Sequence, residues 1–325
     1  MAKPVGSISL DLDNKWSYMK THGDSGWEEF PSFLDLVVPR ILDFLQEHSQ
    51  KITFFVVGQD AAQEQNRAAI ASIAQAGHEV GNHSFHHEPW LHLYSPEKLE
   101  EEFKRAEEAI LDVTGQRPVG FRGPGFSLSD QVLRALHRRG YEYDCSTFPT
   151  YLGPIARMYY MFTAKLSRSE KSDRKQLFGR MSDGFQSLKP FEWNLGDATL
   201  LEIPVTTMPV FKMPIHMTYL TYLSGFSVAA AKMYIWKAAK MCQLFGVAPS
   251  FLLHGLDFLG SDDNIGLDYF PGMSIPTAKK LELLSYVLNT FARPFELRTM
   301  REHAQQVVSG KIRQRSIQFA RSGVS

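Results

Sequence analysis

Cysteine is nearly missing from this chain: Cys145 and Cys242 are the only two in 325 residues. Two cannot build a disulfide framework, and both sit in apolar or strand-like surroundings, so reduced, buried thiols are expected. Net charge is missing too. The 35 Lys and Arg match the 35 Asp and Glu, which removes the basic stripe that phosphate contacts demand, so no nucleic-acid partner is expected. No stretch reaches about 18 uninterrupted apolar residues, the length a spanning helix requires. The opening stretch, MAKPVGSISLDLDNKW, lacks a long apolar run and a small-residue cleavage site, so a cytoplasmic location is the expectation. Internal repeats and low-complexity tracts are absent as well.

What is present is 44% hydrophobic content, enough for one large core with room for an inserted subdomain. Strand and helix patterns alternate from residue 7 to residue 148. SISLDLD (7–13) alternates polar and apolar and carries acidic residues at its C-terminal end. Residues 33–48 predict a helix whose regular part begins at Pro39. KITFFVVG (51–58) suits a strand buried on both faces. AAIASIAQAG predicts a helix closed by Gly77, and HEVGNH a short strand. Residues 95–115 predict a helix capped by Ser95, with Pro96 in its first position and acidic residues in its first turns. VGFRG, SDQVLRALHRRG and YEYDCS continue as strand, helix and strand. Such alternation implies parallel βαβ units, in a barrel or an open sheet.

The middle departs from this pattern. Residues 151–198 contain the basic, weakly periodic stretch LSRSEKSDRKQLFGR and predict an insertion or long loop. TLLEIPV (199–205) returns as a strand. Residues 206–246 predict a second accessory segment: a Met-, Tyr- and Phe-rich run broken by Pro209 and Pro214, then a helix from about 228. SFLLHGLDF holds a strand ending at His254, and a last helix and strand follow.

In α/β barrels and sheets, function gathers at the C-terminal ends of strands. Polar residues fall at four such ends: Asp11 with Asp13, His83 with His87, Arg122, and His254. Each is ordinary alone. A DxD often caps a turn, an isolated arginine usually makes a surface ion pair, and a single histidine is usually a satisfied core residue. Together, in chain order, they are a much stronger signal, because charged groups at buried positions need partners or a metal. His83 and His87 lie four apart on one face of a helical turn. Neutral imidazole suits zinc and related divalent ions, at roughly 2.0–2.1 Å. One of the two aspartates would supply a third ligand and leave the other free as a base. Two histidines and one carboxylate keep positions open for water and substrate, the pattern of a catalytic site. His78 and His86 are expected in supporting or surface roles.

The stretches SLDLDNKW, ITFFVVG, GHEVGNHSFHH, RPVGFRGPGFS and FLLHG, in that order, resemble the polysaccharide deacetylase family, the NodB-homology group of carbohydrate esterase family 4. The resemblance covers residues 5–150 and returns at about 199–258. It implies an α/β fold, a distorted (β/α) barrel with fewer than eight strands, here a single domain over 1–325 with an inserted helical or loop segment. It implies one divalent metal ion, with zinc as first choice and iron, cobalt or manganese as alternatives, held by Asp13, His83 and His87. It implies Asp11 as general base toward the attacking water, Arg122 as the group that orients that base, and His254 as the acid that protonates the leaving amine. The backbone N–H near Phe126 would face the oxyanion, Pro124 would line the substrate, and Ser84 would support the histidine loop. Trp90 is a candidate wall of the substrate site, with an ordinary packing role as the favoured reading. Two departures bear on the substrate: the first motif is DLD rather than adjacent aspartates, and a glycine is added in RGPGF. The aspartate that tunes the family's late histidine is not evident; Asp257, three residues after His254, is a candidate for it, with a turn role as the favoured reading.

The expected activity is removal of an N-acyl group from an amino sugar that is polysaccharide-related or lipid-linked. The lipid-linked option rests on residues 207–226, whose apolar side chains with flanking cations have the make-up of a surface on the cytoplasmic face of an anionic bilayer. Three other readings use the same residues: an allantoinase-like ring-opening amidohydrolase, a non-haem iron oxygenase with a facial triad, and a catalytically silent carbohydrate-binding module.

Overall fold

The computed structural model describes residues 3–153, 181–310 and 313–316. Ten strands form one sheet among these residues. They are β1 (Val5–Leu12), β2 (Thr53–Val56), β3 (Glu79–Asn82), β4 (Gly120–Phe121), β5 (Tyr143–Asp144), β6 (Phe191–Asn194), β7 (Thr199–Glu202), β8 (Ser250–His254), β9 (Glu296–Arg298) and β10 (Gln314–Ser316). The order is β10-β6-β7-β5-β4-β3-β2-β1-β8, with β9 also on β1. Only the β6–β7 pair is antiparallel.

Seven parallel strands, from β7 through β5, β4, β3, β2 and β1 to β8, make the ring expected from the resemblance. Residues just beyond β7 close it: Thr206 N donates to Ser250 O at 3.0 Å, and Ser250 N to Thr206 Oγ1 at 2.7 Å. Parallel strands align their C-terminal ends, and the registers do so here. Asp11 stands opposite His254 across β1–β8 and opposite Phe55 across β1–β2.

Helices cover the ring: α1 (Lys15–His22), α2 (Leu34–Glu47), α3 (Gly58–Ala61), α4 (Arg67–Gln75), α5 (Pro96–Thr114), α6 (Asp130–Arg138), α7 (Met217–Phe226), α8 (Val228–Phe245), α9 (Thr277–Ala292) and α10 (Met300–Val308). As expected, Ser95 caps α5 by accepting from Lys98 N, and Gly115 ends it at φ 68°, a left-handed conformation open to glycine. Helix α2 differs from the expectation. Pro39 lies inside it, and Leu34 begins it. The start is set from outside, because Asn14 Oδ1 accepts from Phe33 N and Ser32 Oγ from Leu34 N. The proline removes a bond only to the carbonyl of Asp35, an exposed residue that water can serve.

The main core unites β1, β2 and β8 with α2, α4 and the α7–α9 helices. The stretch expected as an accessory segment, 206–246, supplies Met208, Ile215, Met217, Leu220, Ile235 and Cys242 to that core. Most of the other expected insertion, 154–180 within 151–198, lies outside the described residues. Both cysteines are free and buried, as expected.

Candidate active site and metal centre

Strand β1 delivers two carboxylates to the end of the ring. Asp11 is its penultimate residue, and Asp13 follows it directly. Asn14 then caps α1, and its side chain donates to Asp60 Oδ1 at 2.7 Å; Trp16 Nε1 reaches the same oxygen at 2.9 Å. These bonds hold the chain on both sides of the turn, so Asp13 is set rigidly.

The histidines come from the loop after β3. His83 extends the strand ladder by donating its N–H to Val56 O. The chain then bends through Ser84 at φ 62° and His87 at φ 53°, left-handed conformations that non-glycine residues rarely adopt. The bend is pinned. Ser84 Oγ accepts from His87 N at 3.1 Å, and Glu102 of α5 accepts from the amides of Phe85 and His86 at 2.9 and 2.7 Å. Glu102 also takes the His86 ring at 2.7 Å, which gives His86 the supporting role expected of it. His78 lies at the other end of its strand, where its ring accepts from Ile52 N.

Asp13 Oδ1 ends 3.0 Å from His87 Nε2 and 3.4 Å from His83 Nε2. It is buried and makes no hydrogen bond. Four donors set tetrahedrally at about 2.0–2.1 Å from one ion would stand about 3.4 Å apart. The three donor atoms lie within 4.8 Å of one another, and no other such trio occurs among the described residues. An orphaned buried carboxylate oxygen between two imidazoles fits a divalent cation. The His83 tautomer fits as well: Nδ1 lies 2.7 Å from the Arg122 carbonyl, which can only accept, so Nε2 is left free to face Asp13. Burial alone would raise the Asp13 carboxyl, but the charges of His87 and His83 hold it well below the usual carboxylate range. Burial would lower His83, yet Asp11 and Asp13 raise it.

Arg122, fully buried, crosses the ring interior from the end of β4. Its Nη1 donates to Asp11 Oδ1 at 2.7 Å and to Ser9 Oγ at 2.8 Å, and its Nε to Cys145 O at 3.2 Å. The guanidinium lies over the Phe55 ring at 4.5 Å. The other Asp11 oxygen, Oδ2, lies 4.0 Å from His83 Nε2, beside the metal donors. Hence one carboxylate is anchored on one side and presented to the site on the other.

His254 ends β8 across from Asp11. Asp257 accepts from its backbone N at 2.8 Å, so the expected turn role is present. Thr218 Oγ1 lies 3.3 Å from both His254 Nδ1 and Asp257 Oδ1, and so joins the two. His216 follows at 6.2 Å between ring centroids; burial, then the His254 charge, pull it down to about 3.

The oxyanion expectation needs correction. The Phe126 N–H donates to Gly123 O at 2.9 Å, because the Pro124–Phe126 turn closes on itself with Gly125 and Phe126 both left-handed. The Phe126 ring instead stacks on Phe148 at 4.7 Å, and Phe148 meets His216 at 5.7 Å, an aromatic wall beside His254. Pro124 is buried in the turn. Trp90 packs on the apolar cluster around Leu91, Tyr94 and Leu99, the packing role favoured for it over a wall of the site.

Sequence reasoning missed Ser9, Thr218, His216 and Tyr18. The Tyr18 hydroxyl of α1 is buried without a hydrogen-bond partner. Burial first, then Asp13, Asp257 and Asp11, push it well above its ordinary range, so it stays a donor. Tyr18 sits on the first apolar-poor helix, where no motif marks it; Thr218 and His216 belong to a segment read as accessory.

Residues 24–143 match the family model for polysaccharide deacetylases. Over these residues the chain is similar to polysaccharide deacetylases. Peptidoglycan-N-acetylglucosamine deacetylase PgdA of Listeria monocytogenes is 34% identical over 100 residues, which cover 31% of this chain and 21% of PgdA. Peptidoglycan-N-acetylmuramic acid deacetylase PdaA of Bacillus subtilis is 32% identical over 105 residues, 32% of this chain and 39% of PdaA. The chain therefore spans between about a fifth and two fifths of these curated relatives. A polysaccharide deacetylase homologue from Mycobacterium smegmatis shares the fold across nearly the whole chain. It superposes with a TM-score of 0.62 at 20% identity, over 98% of this chain and 95% of that one. The deacetylase-matched stretch holds His83, His87 and Arg122. Asp11, Asp13 and His254 lie outside it and join them through β1 and β8.

Proposed function

We propose that this polysaccharide deacetylase relative is a metal-dependent hydrolase that removes an acetyl or formyl group from the nitrogen of an amino sugar. The observation that carries the reading is the orphaned Asp13 oxygen between His83 and His87, with the Arg122-anchored Asp11 beside it. Asp13, His83 and His87 would hold the ion; zinc is the first choice for two imidazoles and a carboxylate, with iron, cobalt and manganese accepted by the same donors. Such an ion supplies Lewis-acid polarisation of the acyl carbonyl and of the attacking water. Asp11 takes the water's proton at its free oxygen while Arg122 holds the carboxylate aimed. His254 gives a proton to the departing amine, with Thr218 fixing the ring that does so. PgdA and PdaA, deacetylases of peptidoglycan N-acetylglucosamine and N-acetylmuramic acid, support this substrate class.

The test is elemental analysis of purified wild type, His83→Ala and Asp13→Ala, with released acid measured on N-acetyl and N-formyl amino sugars. About one metal per chain in the wild type and none in the variants, with acid release lost in Asp11→Asn, is expected from a three-ligand catalytic site. Full metal in the variants, or undiminished release by Asp11→Asn, overturns it.

A further inference from the structure

We propose that the outward face of α8 docks this protein on an anionic lipid bilayer. Helix α8 is inverted relative to an ordinary surface helix. Its inward side is mostly small: Ala231, Ile235, Ala238 and Cys242 are buried. At about 100° per residue, Met233, Trp236, Lys237, Lys240 and Leu244 share an arc of about 100° on the opposite side. Met233 is 54% exposed, Trp236 46% and Leu244 79%. A soluble helix places polar residues there; this one places its largest apolar side chains among two exposed lysines.

The surface extends beyond the helix. Phe226 and Val228, at the α7–α8 corner, are 75% and 47% exposed. The chain leading into α7 makes a tip at Val210 and Phe211, both about 60% exposed. The segment that carries this tip joins α8 where Tyr234 donates its hydroxyl to Pro214 O at 2.9 Å, and on its other side Lys212 Nζ donates to Gln186 O at 2.7 Å. Three residues on, Lys189 Nζ lies 3.5 Å from where a side chain on Gly246 would start, at the end of α8.

Charge selects the occupant. No Asp or Glu occurs between Glu202 and Asp257, whereas Lys212, Lys232, Lys237 and Lys240 all do. Only Lys232 has an acidic partner among the described residues, Glu282 at 2.8 Å. Apolar side chains that enter the acyl boundary, flanked by unpaired lysines at headgroup level, match an anionic bilayer. A second copy across a two-fold axis would set lysine face against lysine face with no acid to pair them. The chain's own segment 154–180 carries seven Lys and Arg against two Asp and Glu, so its composition does not complement the same lysines. The proposal is independent of the catalytic reading, although α7 links the two: Thr218, at His254, lies two turns before Phe226, about 12 Å along the axis.

The test is flotation of the full chain with vesicles of phosphatidylcholine alone or mixed with phosphatidylglycerol. The protein is expected to float with the mixed vesicles only and to be released by high salt. Lys237→Glu with Lys240→Glu is expected to weaken partitioning by at least about fivefold for each lysine removed. Leu244→Asp should abolish it, and circular dichroism should show both variants folded. Trp236→Phe, a conservative change, should keep binding and remove a blue shift of tryptophan emission that the wild type shows on vesicles. Absence of flotation, flotation indifferent to these variants, or a dimer by light scattering that Leu244→Asp dissociates would each overturn the proposal.

Discussion

The Arg122–Asp11 pair offers the sharpest test of how this site is built. Both residues are buried, Arg122 fully and Asp11 to 4% exposure, and their atoms meet at 2.7 Å. Replacing Arg122 by Met keeps the shape roughly and leaves a carboxylate in the ring interior with its cation gone. Removing one member of a buried ion pair destabilises by about 3–5 kcal/mol, because the remaining charge loses its compensation. Ser9 Oγ and the Cys145 carbonyl also lose their donor, at up to about 1 kcal/mol each. Asp11→Asn alone is milder, since an amide oxygen still accepts from Nη1. The double variant, Asn with Met, holds no buried charge at this place and should recover at least about 2 kcal/mol of what Arg122→Met loses. Urea unfolding of the four proteins closes the cycle. If Arg122→Met loses under about 1 kcal/mol, or the two effects simply add, the pair is not the coupled buried ion pair that the hydrogen bonds describe, and the account of Asp11 as an anchored base fails with it.

Tyr18→Phe removes a buried hydroxyl that has no partner, so the fold should keep or gain up to about 1 kcal/mol by urea unfolding, while acid release falls; lost stability would mean the hydroxyl is bonded after all. Thr218→Val should lower kcat more than KM, because it frees the His254 ring, whereas Thr218→Ser should restore kcat. Saturating zinc at about 100-fold its Kd should add about 2.7 kcal/mol to the stability of the wild type and nothing to Asp13→Asn, read as a Tm difference that chelator abolishes. Burial pulls His303 down to about 4, below its ordinary 6.5. The folded state therefore binds fewer protons than the unfolded chain between those values, and stability falls as pH drops from about 6.5 to about 4, by roughly 3 kcal/mol from this group. His303→Gln should flatten that slope, and an unchanged slope would refute the assignment.

Much of the site was legible in the sequence because it sits on local patterns. SISLDLD carries its aspartates at a strand end, and HEVGNH runs straight into the histidines, so both the element and its functional tip read from one stretch. Ser95, Pro96 and Gly115 marked α5 for the same reason: caps act within a turn. Pro39 misled because the start of α2 is decided elsewhere, by Ser32 just before it and by Asn14, a side chain remote in sequence. Phe126 was placed by motif alone, and motif does not report whether an amide is already bonded.

What the sequence by itself determined is the alternation of strand and helix, the order of the chemical residues, and their positions at strand ends. Those follow from periodicity and capping, which are short-range. Only the tertiary structure decided which residues meet. Arg122 reaches Asp11 over Phe55 because parallel registers align β1, β2 and β4 around one ring. Thr218 reaches His254 because a segment that looked accessory supplies buried side chains to the main core. The outward turn of Met233, Trp236 and Leu244 was settled in the same way: an apolar residue's side of a helix depends on which face the rest of the fold covers, and no local pattern contains that.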